Sequence, residues 1–398
     1  MKTRREFLKA TAKAGALFSF AASAPRLLMR SALALPPGAD QTILVVLQLS
    51  GGNDGLNTVI PFADDLYHQS RPTLRQVAAQ AHRISDQLAL HPRMAGFARL
   101  FAGGQLAVVQ GVGCAKSDRN HPGAMHMWHT AEPQPPGPQT GWLGRAADQL
   151  WNPDTANLPA AFVGAIPQPF ASNAERVIVP SLRSPRDLVC PPAKAGSAPG
   201  DRLLDGARRA TSAAQANSVR IENVLKAHAG DYPQYRLADE LRTIAQLIRA
   251  DAGIRVFFTE LGGGGIGGFD NHAGQLGNHC SLLEQLSASI AAFARDLQRD
   301  RLFDRVVLMT FSEFGRTLHE NGRRGTGHGA AAPVFVVGGR AQGGLIGTHP
   351  SLADLDQDGQ KVHTDFRRIY AELLDRWLGL DSREILGGAY APVGMLRA

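Results

Sequence analysis

Short, predominantly apolar runs recur along the chain, and each is too short to be a buried helix. The first run, Ile43–Leu49, consists mainly of β-branched residues and leucine and stops abruptly at the polar turn 50–55. A run of this kind is typical of a strand whose two faces are both covered, as in a parallel sheet. Four further runs predict strands in the same way: Leu106–Gln110, Ile254–Phe258, Val306–Thr310 and Val334–Val337.

Between the predicted strands, the apolar positions follow the period of an α-helix. The clearest stripe lies on one long segment and comprises Leu282, Leu283, Leu286, Ile290, Phe293 and Leu297. A second helical stripe covers Phe366–Leu378. Because strands alternate with helices, the pattern predicts an α/β fold in which helices cover both faces of a mostly parallel sheet.

One stretch interrupts this alternation. Residues 180–218 are rich in proline, alanine, arginine and serine and contain no clear strand. Large α/β enzymes often reach the length of this chain as a single domain. We therefore expect one α/β domain over residues 35–398 that carries a helical or loop insert at about 180–250.

The first 34 residues carry a different pattern, in which charge precedes a weakly apolar run. Arg4 and Arg5 are adjacent, and Phe-Leu-Lys, an apolar run over 10–24 and the small residues Ala32 and Ala34 follow. This order is typical of a twin-arginine export signal that is cleaved off, and an amphipathic helix with a chance arginine pair is the alternative. The run is shorter than the roughly 20 residues of a membrane span. We expect a periplasmic or secreted protein whose partners are the twin-arginine export machinery and signal peptidase, with no stable membrane span.

Removing residues 1–34 changes the charge balance of the chain. The full sequence has 42 basic and 35 acidic residues, and this segment holds seven of the basic residues and one acidic residue. The remainder is close to neutral, with 35 basic and 34 acidic side chains. No nucleic-acid partner is expected, because binding to phosphates requires a strongly basic face.

The three cysteines, Cys114, Cys190 and Cys280, lie far apart and form no Cys-x-x-Cys pair. In an exported protein two of them can form a disulfide and leave one thiol, and the sequence leaves that pairing open. With so few possible cross-links, the stability of the protein must come from its packed core.

Polar side chains gather where the predicted strands end. In open α/β sheets, ligands bind at the carboxyl ends of the strands, where loops lead into helices. The candidates in such loops are Asp54, Asp270, His272, Glu313, Arg316 and His328. Carboxylate and imidazole donors together suit a divalent ion such as Zn, Mn, Mg or Ca. The sequence therefore predicts a divalent metal site at one edge of the sheet.

Every candidate except His328 also has a purely structural interpretation. Asp54 is a common type of residue in tight turns, and Asp270 and His272 can cap the helix that follows them. Glu313 can form an ion pair with Arg316. The convergence of several such residues on one edge, more than any single residue, is what favours a metal site.

Five segments taken together resemble one protein family. They are LQLSGGNDGLNTVIPF, GWLGR, GGFDNHAGQ, DRVVLMTFSEFGRT and GTGHGAAAPVFVVGG, in this order. The set resembles the exported family of unknown function numbered 1501 over about residues 41–380, and that family is similar in fold to the alkaline-phosphatase and sulfatase superfamily. The resemblance implies a three-layer α/β/α sandwich with a large mostly parallel sheet, a metal site at strand ends, and hydrolysis or transfer of phosphate or sulfate esters.

The resemblance also implies roles for individual residues. The residues that match metal-ligand positions of the superfamily are Asp54, Asp270, His272 and His328. In a metal-dependent hydrolase of this type, Glu313 would be a ligand or a base, and Arg316 would clamp a small anionic ester.

Four positions depart from the family pattern. Members usually have threonine where this chain has Asn271, aspartate where it has Gly327, and serine, the expected nucleophile, where it has Asn120. The superfamily often has a histidine where Phe314 follows Glu313. Because Asn120 has no hydroxyl that can attack an ester, three functions stay open. They are a metal-dependent phosphate- or sulfate-ester hydrolase, a catalytically degenerate relative that binds an anionic ligand or a partner, and an envelope scaffold or assembly protein.

Overall fold

The computed structural model describes residues 41–117, 119–132, 139–152, 158–189, 215, 218–227, 230–263 and 268–397. The predicted signal peptide, residues 1–34, and Cys190 lie outside these residues, while the thiols of Cys114 and Cys280 are free. Across the described residues, no helix combines the length and the apolar character that crossing a lipid bilayer requires.

The strands of this part of the chain are β1 Ile43–Leu49, β2 Val59–Ile60, β3 His82–Arg83, β4 Ala89–Leu90, β5 Leu106–Gly113, β6 Ala160–Val163, β7 Ser181–Leu182, β8 Val256–Leu261, β9 Val306–Phe311, β10 Arg316–Glu320, β11 Thr326–His328, β12 Ala332–Gly338, β13 Gly344–Ile346, β14 Leu355–Asp356, β15 Gly359–Gln360 and β16 Thr364–Asp365. Every strand predicted from the sequence is found, with ends that move by a few residues.

The α-helices are α1 Gly55–Thr58, α2 Asp65–Ser70, α3 Ala95–Ala102, α4 His121–Thr130, α5 Trp142–Leu150, α6 Arg236–Arg249, α7 Gln275–Arg299, α8 Phe366–Glu372 and α9 Ser382–Leu386. A π-helical turn, Leu373–Leu378, continues α8, and residues 218–226 are also helical. Short 3-10 turns lie at Ala78–Gln80, Phe170–Ser172, Pro185–Leu188 and Phe303–Arg305. The long helix α7 contains the predicted apolar stripe.

One large sheet organises the fold. Its strands follow the order β13-β5-β12-β9-β1-β8-β6-β7, and β16 also pairs with β5. The central strand β1 is parallel to both neighbours, with Val46 opposite Phe258 on β8 and opposite Met309 on β9. Only β12 runs antiparallel to its neighbours β5 and β9 among the described strands of this sheet. The predicted mostly parallel α/β sheet is therefore confirmed.

Each face of the sheet carries its own hydrophobic core. On β1, Val45 and Leu47 pack into one core, whereas Leu44 and Val46 pack into the other, as the alternation of side chains along a strand requires. Helices α3, α6 and α7 complete the first core, and α4, α5, α8 and α9 complete the second. These two helical layers around one sheet confirm the three-layer α/β/α arrangement.

The two ends of the region expected to hold an insert, 180–250, are part of the α/β domain. Strand β7 pairs in parallel with β6 at the edge of the large sheet. Helix α6 buries Leu241 and Ile244 in the first core. Residues 190–214 lie outside the described residues, so an insert in the middle of 180–250 stays a prediction.

The directions of the strands bring five loops to one edge of the sheet. Strands β1, β8 and β9 are parallel and end there. Because β12 is antiparallel to β9, the loop before β12 lies at this edge, and β5, antiparallel to β12, also ends there. This edge, which we call the ligand edge, carries the loops with the residues singled out in the sequence.

Candidate metal centre

The turn after β1 lets the loop after β8 approach very closely. Gly51 has a φ of +114°, and a Cβ atom at this position would lie 2.5 Å from the backbone nitrogen of Asp270. The N–H of Gly51 donates to Oε1 of Glu313 over 2.8 Å. Only glycine suits both this backbone conformation and this space. The turn thus holds the Asp270 loop against the Glu313 loop.

Three side chains from three loops of the ligand edge converge. The ligand atoms of His121, Asp270 and His328 all lie within 4.8 Å of one another. Oδ2 of Asp270 is 3.4 Å from Nε2 of His121, and its Oδ1 is 3.4 Å from Nε2 of His328. In a tetrahedral zinc site with bonds of about 2.0–2.1 Å, neighbouring ligand atoms are about 3.3 Å apart. The spacing of this trio therefore suits a small divalent ion.

His272 lies directly beside the trio. Its Nε2 atom is 2.9 Å from Oδ1 of Asp270 and 3.0 Å from Nε2 of His328. His272 is not part of the set in which all ligand atoms lie within 4.8 Å of one another. It contacts two members of the trio and is the candidate for a fourth ligand.

Glu313 fixes the orientation of the His121 ring. Its Oε1 atom accepts a hydrogen bond from Nδ1 of His121 over 2.9 Å. With the proton on Nδ1, the Nε2 atom of His121 carries a lone pair. This Nε2 atom is buried and has no hydrogen-bond partner in the described residues. A buried polar atom of this kind is costly unless something binds it, and a carboxylate behind a metal-binding imidazole is a common arrangement.

Arg119 orients His328 in a similar way. Its carbonyl oxygen accepts a hydrogen bond from Nδ1 of His328 over 2.7 Å, which leaves the Nε2 lone pair toward Asp270. Arg119 has a φ of 57°, a left-handed conformation that non-glycine residues rarely adopt. Its guanidinium is anchored on Asp356, whose carbonyl oxygen lies 2.9 Å from Nη1. Both imidazoles of the trio are therefore held by their far nitrogens.

Arg316, predicted as an anion clamp, lies in the wall of the centre. Its side chain is 1% exposed. Its guanidinium donates over 2.6–3.3 Å to Oδ1 of Asp270 and to the carbonyl oxygens of Gly52, Phe269 and Thr326. A buried guanidinium with this many acceptors positions Asp270 and the loops around it. We interpret Arg316 as a positioning residue.

Asp54, the other predicted aspartate ligand, bonds to different partners. Its side chain is 2% exposed, and its Oδ2 atom accepts hydrogen bonds from Nη1 of Arg71 over 2.6 Å and from the Gln275 amide. Arg71 is itself completely buried. No group of three metal-binding side chains that includes Asp54 is present in the described residues. The structure thus pairs Asp54 with a guanidinium, whereas Asp270 faces imidazoles.

The environment shifts several pKa values at the ligand edge. Burial opposes ionisation of Asp270, but the hydrogen bond and charge of Arg316 outweigh it, so the pKa of this carboxyl lies below its usual value. Burial lowers the pKa of His328. The hydrogen bond to Glu313 raises the pKa of His121. The pKa shifts of Asp270 and His328 favour the anionic carboxylate and the neutral imidazole, which are the forms that bind cations, whereas the shift of His121 favours a proton that a bound ion would displace.

Two departures from the family pattern have structural roles here. The ring of Phe314 packs 4.4 Å from that of His328 and 4.9 Å from that of His121, measured between centroids, and forms an apolar wall. Asn120 is the N-cap of α4, and its Oδ1 atom accepts a hydrogen bond from the N–H of Gly123 over 3.0 Å. The side chain where a nucleophile was expected therefore caps a helix.

The other two departures lie in loops that join the centre. Oδ1 of Asn271 accepts a hydrogen bond from the Asn278 amide over 2.8 Å, which ties the Asp270 loop to α7. The N–H of Gly327 donates to the Thr317 hydroxyl over 2.9 Å, between β11 and β10. Both contacts stabilise the loops that present Asp270 and His328.

The structure brings together Asp270, His272 and His328 of the predicted ligands, with Glu313 and Arg316 as their supports. It adds His121, which the sequence analysis does not include among the candidates. His121 begins the helix after β5, a predicted strand that ends at the ligand edge, but residues 114–120 separate it from the end of that strand. The sequence gives no comparable indication that Arg71 lies at the ligand edge, since Arg71 does not follow a strand of the large sheet.

The sequence matches the family described as "Protein of unknown function (DUF1501)" over residues 41–389. The chain belongs to the DUF1501 family. This finding confirms the family resemblance of the five sequence segments. Among curated proteins, no match to this DUF1501 protein was found.

Several solved structures are similar to the DUF1501 protein at low sequence identity. The lipoteichoic acid synthase LtaP from Listeria monocytogenes is 9% identical, with 84% of this chain and 79% of that chain covered and a TM-score of 0.38. The C-terminal periplasmic domain of EptC from Escherichia coli, in complex with Zn, is 10% identical, with 77% of each chain covered and a TM-score of 0.36. A protein in the alkaline phosphatase superfamily from Vibrio parahaemolyticus is 10% identical, with 91% and 76% covered and a TM-score of 0.38. Likeness at this level carries no argument about activity.

Proposed function

We propose that this DUF1501 protein is a metal-dependent hydrolase of phosphate or sulfate esters. The observation that carries the proposal is the convergence of His121, Asp270 and His328, with a buried, partnerless Nε2 of His121 directed into the cluster. His272 would be the fourth ligand. Three imidazoles and one carboxylate are a donor set that favours zinc, and Mn, Mg and Ca are the alternatives.

The charge of the centre explains why an anionic ester would need the ion. Asp270 and Glu313 are each negative and Arg316 is positive, so with neutral imidazoles the cluster has a net charge of −1. A divalent cation changes this net charge to +1. We therefore expect phosphate or sulfate groups to bind to the metal-loaded protein and not to the metal-free protein.

The protein residues contribute position and protonation state. Glu313 holds a proton on Nδ1 of His121, Arg119 does so for His328, and Arg316 fixes the Asp270 carboxylate. When bound, the ion supplies Lewis-acid polarisation of an ester oxygen or a water of lowered pKa, which suits a chain whose Asn120 offers no hydroxyl. Phe314 closes one side of the site with an apolar ring.

The test is metal-dependent turnover. Protein loaded separately with Zn, Mn, Mg or Ca would be assayed with aryl phosphates and aryl sulfates, beside His121→Ala and His328→Ala. The control is His126→Ala, which changes a histidine on α4 outside the trio. We expect turnover with at least one ion, its loss in both ligand variants and its retention in the control. A wild type without metal or turnover, or trio variants as active as wild type, would contradict the proposal.

A second candidate is a protein that binds an anionic ligand without hydrolysing it. The observation that favours it is Asn120, whose side chain caps α4 where the family usually has a serine. The same metal-loaded protein would then bind phosphate or sulfate in a calorimetric titration while no ester is hydrolysed. Turnover that depends on the trio would exclude this candidate.

We also propose that the protein is exported by the twin-arginine route. It would then encounter its proposed substrates and ion in the envelope. The Arg4-Arg5 pair ahead of an apolar run supports it. Replacing both arginines by lysine should leave precursor in the cytoplasm. Normal export and cleavage of that variant would show another route.

A further inference from the structure

We infer that the metal centre holds a single divalent cation, because the guanidinium of Arg71 already supplies the positive charge beside Asp54. The inference rests on the proposed function and concerns the number of ions at the ligand edge. It assigns Asp54, which the sequence marks as a ligand, to an internal ion pair. Asp270 is then the carboxylate that binds the ion.

The bonding of Arg71 leaves no freedom to move away from Asp54. Its guanidinium donates to four acceptors: Oδ2 of Asp54 over 2.6 Å, Oδ1 of Asn57 over 3.0 Å, and the carbonyl oxygens of Thr317 over 2.7 Å and Leu318 over 2.9 Å. The side chain has no exposed surface. Two of the acceptors belong to β10, whose first residue is Arg316. The pair is thus held against β10, beside the centre.

The charges around Asp54 exclude a second ion on electrostatic grounds. The remaining polar side chains around the pair are Asn53, Asn57, Tyr67, Gln275 and His279, and none of them carries a negative charge at neutral pH. Burial lowers the pKa of His279 to about 4, so its ring is neutral. A divalent ion here would add two positive charges to an ion pair that is already neutral. Burying such an excess of charge is strongly unfavourable.

Two atoms in this pocket have no hydrogen-bond partner in the described residues. They are Oδ1 of Asp54, an acceptor, and Nδ2 of Asn53, a donor. One oxygen cannot form a site for a hard cation, which takes several oxygen ligands. An acceptor and a donor together are the partners that a buried water satisfies. The pocket therefore has the polarity of a hydration site.

The trio differs from this pocket in each of these respects. Asp270 has a half-exposed carboxylate with 43% of its side-chain surface accessible, and its neighbours include three imidazoles, two of which have their far nitrogen, Nδ1, beside an acceptor oxygen. The carboxylate still receives one hydrogen bond from Arg316. A cation at this position gains donors that can coordinate it.

The experiment measures metal stoichiometry rather than activity. Wild-type protein would be saturated with Zn²⁺, freed of excess ion and analysed for zinc by mass spectrometry, with Zn²⁺ titrations of Asp54→Asn and Asp270→Asn. We expect one zinc per chain, an affinity within about twofold of wild type in D54N because the sites share no ligand, and a loss of at least about 100-fold in D270N. Circular dichroism would establish that both variants are folded. The number of zinc ions per wild-type chain tests the inference even if a variant does not fold.

The outcomes separate the two proposals. Two zinc ions per chain, with the second lost in D54N, would overturn the single-cation inference and leave the proposed hydrolase intact. One zinc lost equally in D54N and D270N would also overturn it, because Asp54 would then be a ligand. No zinc in any protein, and no binding when Mn, Mg or Ca replaces zinc, would overturn both the inference and the proposed metal-dependent function.

Discussion

Asp54 and Asp270 follow neighbouring strands of one sheet, and each contacts a buried arginine, yet they are built for different tasks. Asp54 is almost fully buried, and its partners are the N–H groups of Arg71 and Gln275. Asp270 is half exposed, and apart from Arg316 it faces the ring nitrogens of His121, His272 and His328. Donors bind one oxygen, Oδ2, of the first carboxylate, whereas the second carboxylate is surrounded by imidazoles that can bind a cation together with it. Both aspartates lie at strand ends, and their partners are what distinguishes the proposed ligand, Asp270, from Asp54.

The strongest test of this comparison is to remove the internal cation at Asp54. Replacing Arg71 by methionine leaves a buried carboxylate without a counter-charge and should lower the free energy of unfolding by about 3–5 kcal/mol. Urea unfolding of the metal-free protein measures this loss. The double variant Arg71→Met, Asp54→Asn has no uncompensated charge and should recover part of it. If the double variant is as unstable as the sum of the singles, Asp54 and Arg71 do not act as a pair.

At the metal centre, the corresponding test concerns the support behind His121. Glu313→Gln weakens the hydrogen bond that holds the Nδ1 proton, and we expect the zinc affinity to fall by about 10–100-fold. The matched control is Glu320→Gln, since Glu320 accepts bonds from the N–H groups of Thr73 and Leu74 and belongs to no hydrogen bond with a histidine ring among the described residues. An equal loss of zinc affinity in both variants would mean that the effect is general loosening of the loops.

The fold could be predicted because its central strands are buried on both faces. All seven residues of β1 are buried, so the apolar run Ile43–Leu49 carries the whole signal. The end of a strand is less visible in sequence. Strand β8 begins at Val256, two residues after the predicted start at Ile254, because the N–H groups of Arg255 and Val256 both donate to the carbonyl of Pro159 before the ladder begins.

The centre could be predicted where its residues lie close in sequence to a clear strand. Asp270, His272 and His328 follow or precede strands whose apolar runs are clear. His328 reaches the ligand edge because β12 is antiparallel, a direction set by long-range pairing with β5 and β9. His121 follows β5 but is separated from it by residues 114–120. Arg71 reaches Asp54 from a loop after α2 and is held by carbonyls of β10. That contact is tertiary and leaves no periodic signal in the chain.

A pH titration gives a smaller but more specific test of the Asp54 pair. Burial alone would raise the pKa of Asp54, but the charge of Arg71 holds it below the ordinary value of 3.8. A carboxyl with a lower pKa in the folded state stabilises the fold above its unfolded pKa and loses that contribution as pH falls through the folded pKa. The difference in unfolding free energy between wild type and Asp54→Asn should therefore be full above about pH 5 and shrink below pH 3.8.

Two further observations keep this titration interpretable. The control variant Asp86→Asn changes an exposed aspartate that is not part of the Asp54–Arg71 pair. His279 gains a proton in the unfolded chain before it does so in the fold, because burial lowers its pKa to about 4, and this destabilises both wild type and D54N between about pH 6.5 and 4. If the difference in unfolding free energy between wild type and D54N is constant from pH 6 down to pH 3, the assigned ion pair is contradicted.

The smallest expected effect is at Asn120, an uncharged residue that caps helix α4. Serine and asparagine are about equally good N-caps, so Asn120→Ser should change the free energy of unfolding by less than about 0.5 kcal/mol, whereas Asn120→Ala should cost about 1 kcal/mol. Serine also places a hydroxyl next to His121. If the missing hydroxyl limits the proposed chemistry, the metal-loaded serine variant should hydrolyse aryl esters faster than wild type.

A second change would sharpen this test. A Cβ atom at Gly327 would lie 3.1 Å from Cγ2 of Thr317, so Gly327→Asp requires only a small shift of that side chain and restores a carboxylate beside His328. Groups that act as one site are not additive, so the rate gain of the double variant should exceed the sum of the two single gains in free energy. Should the wild type already hydrolyse esters as fast as the double variant, neither group limits the reaction, and the residues at 120 and 327 serve the loops and the cap alone.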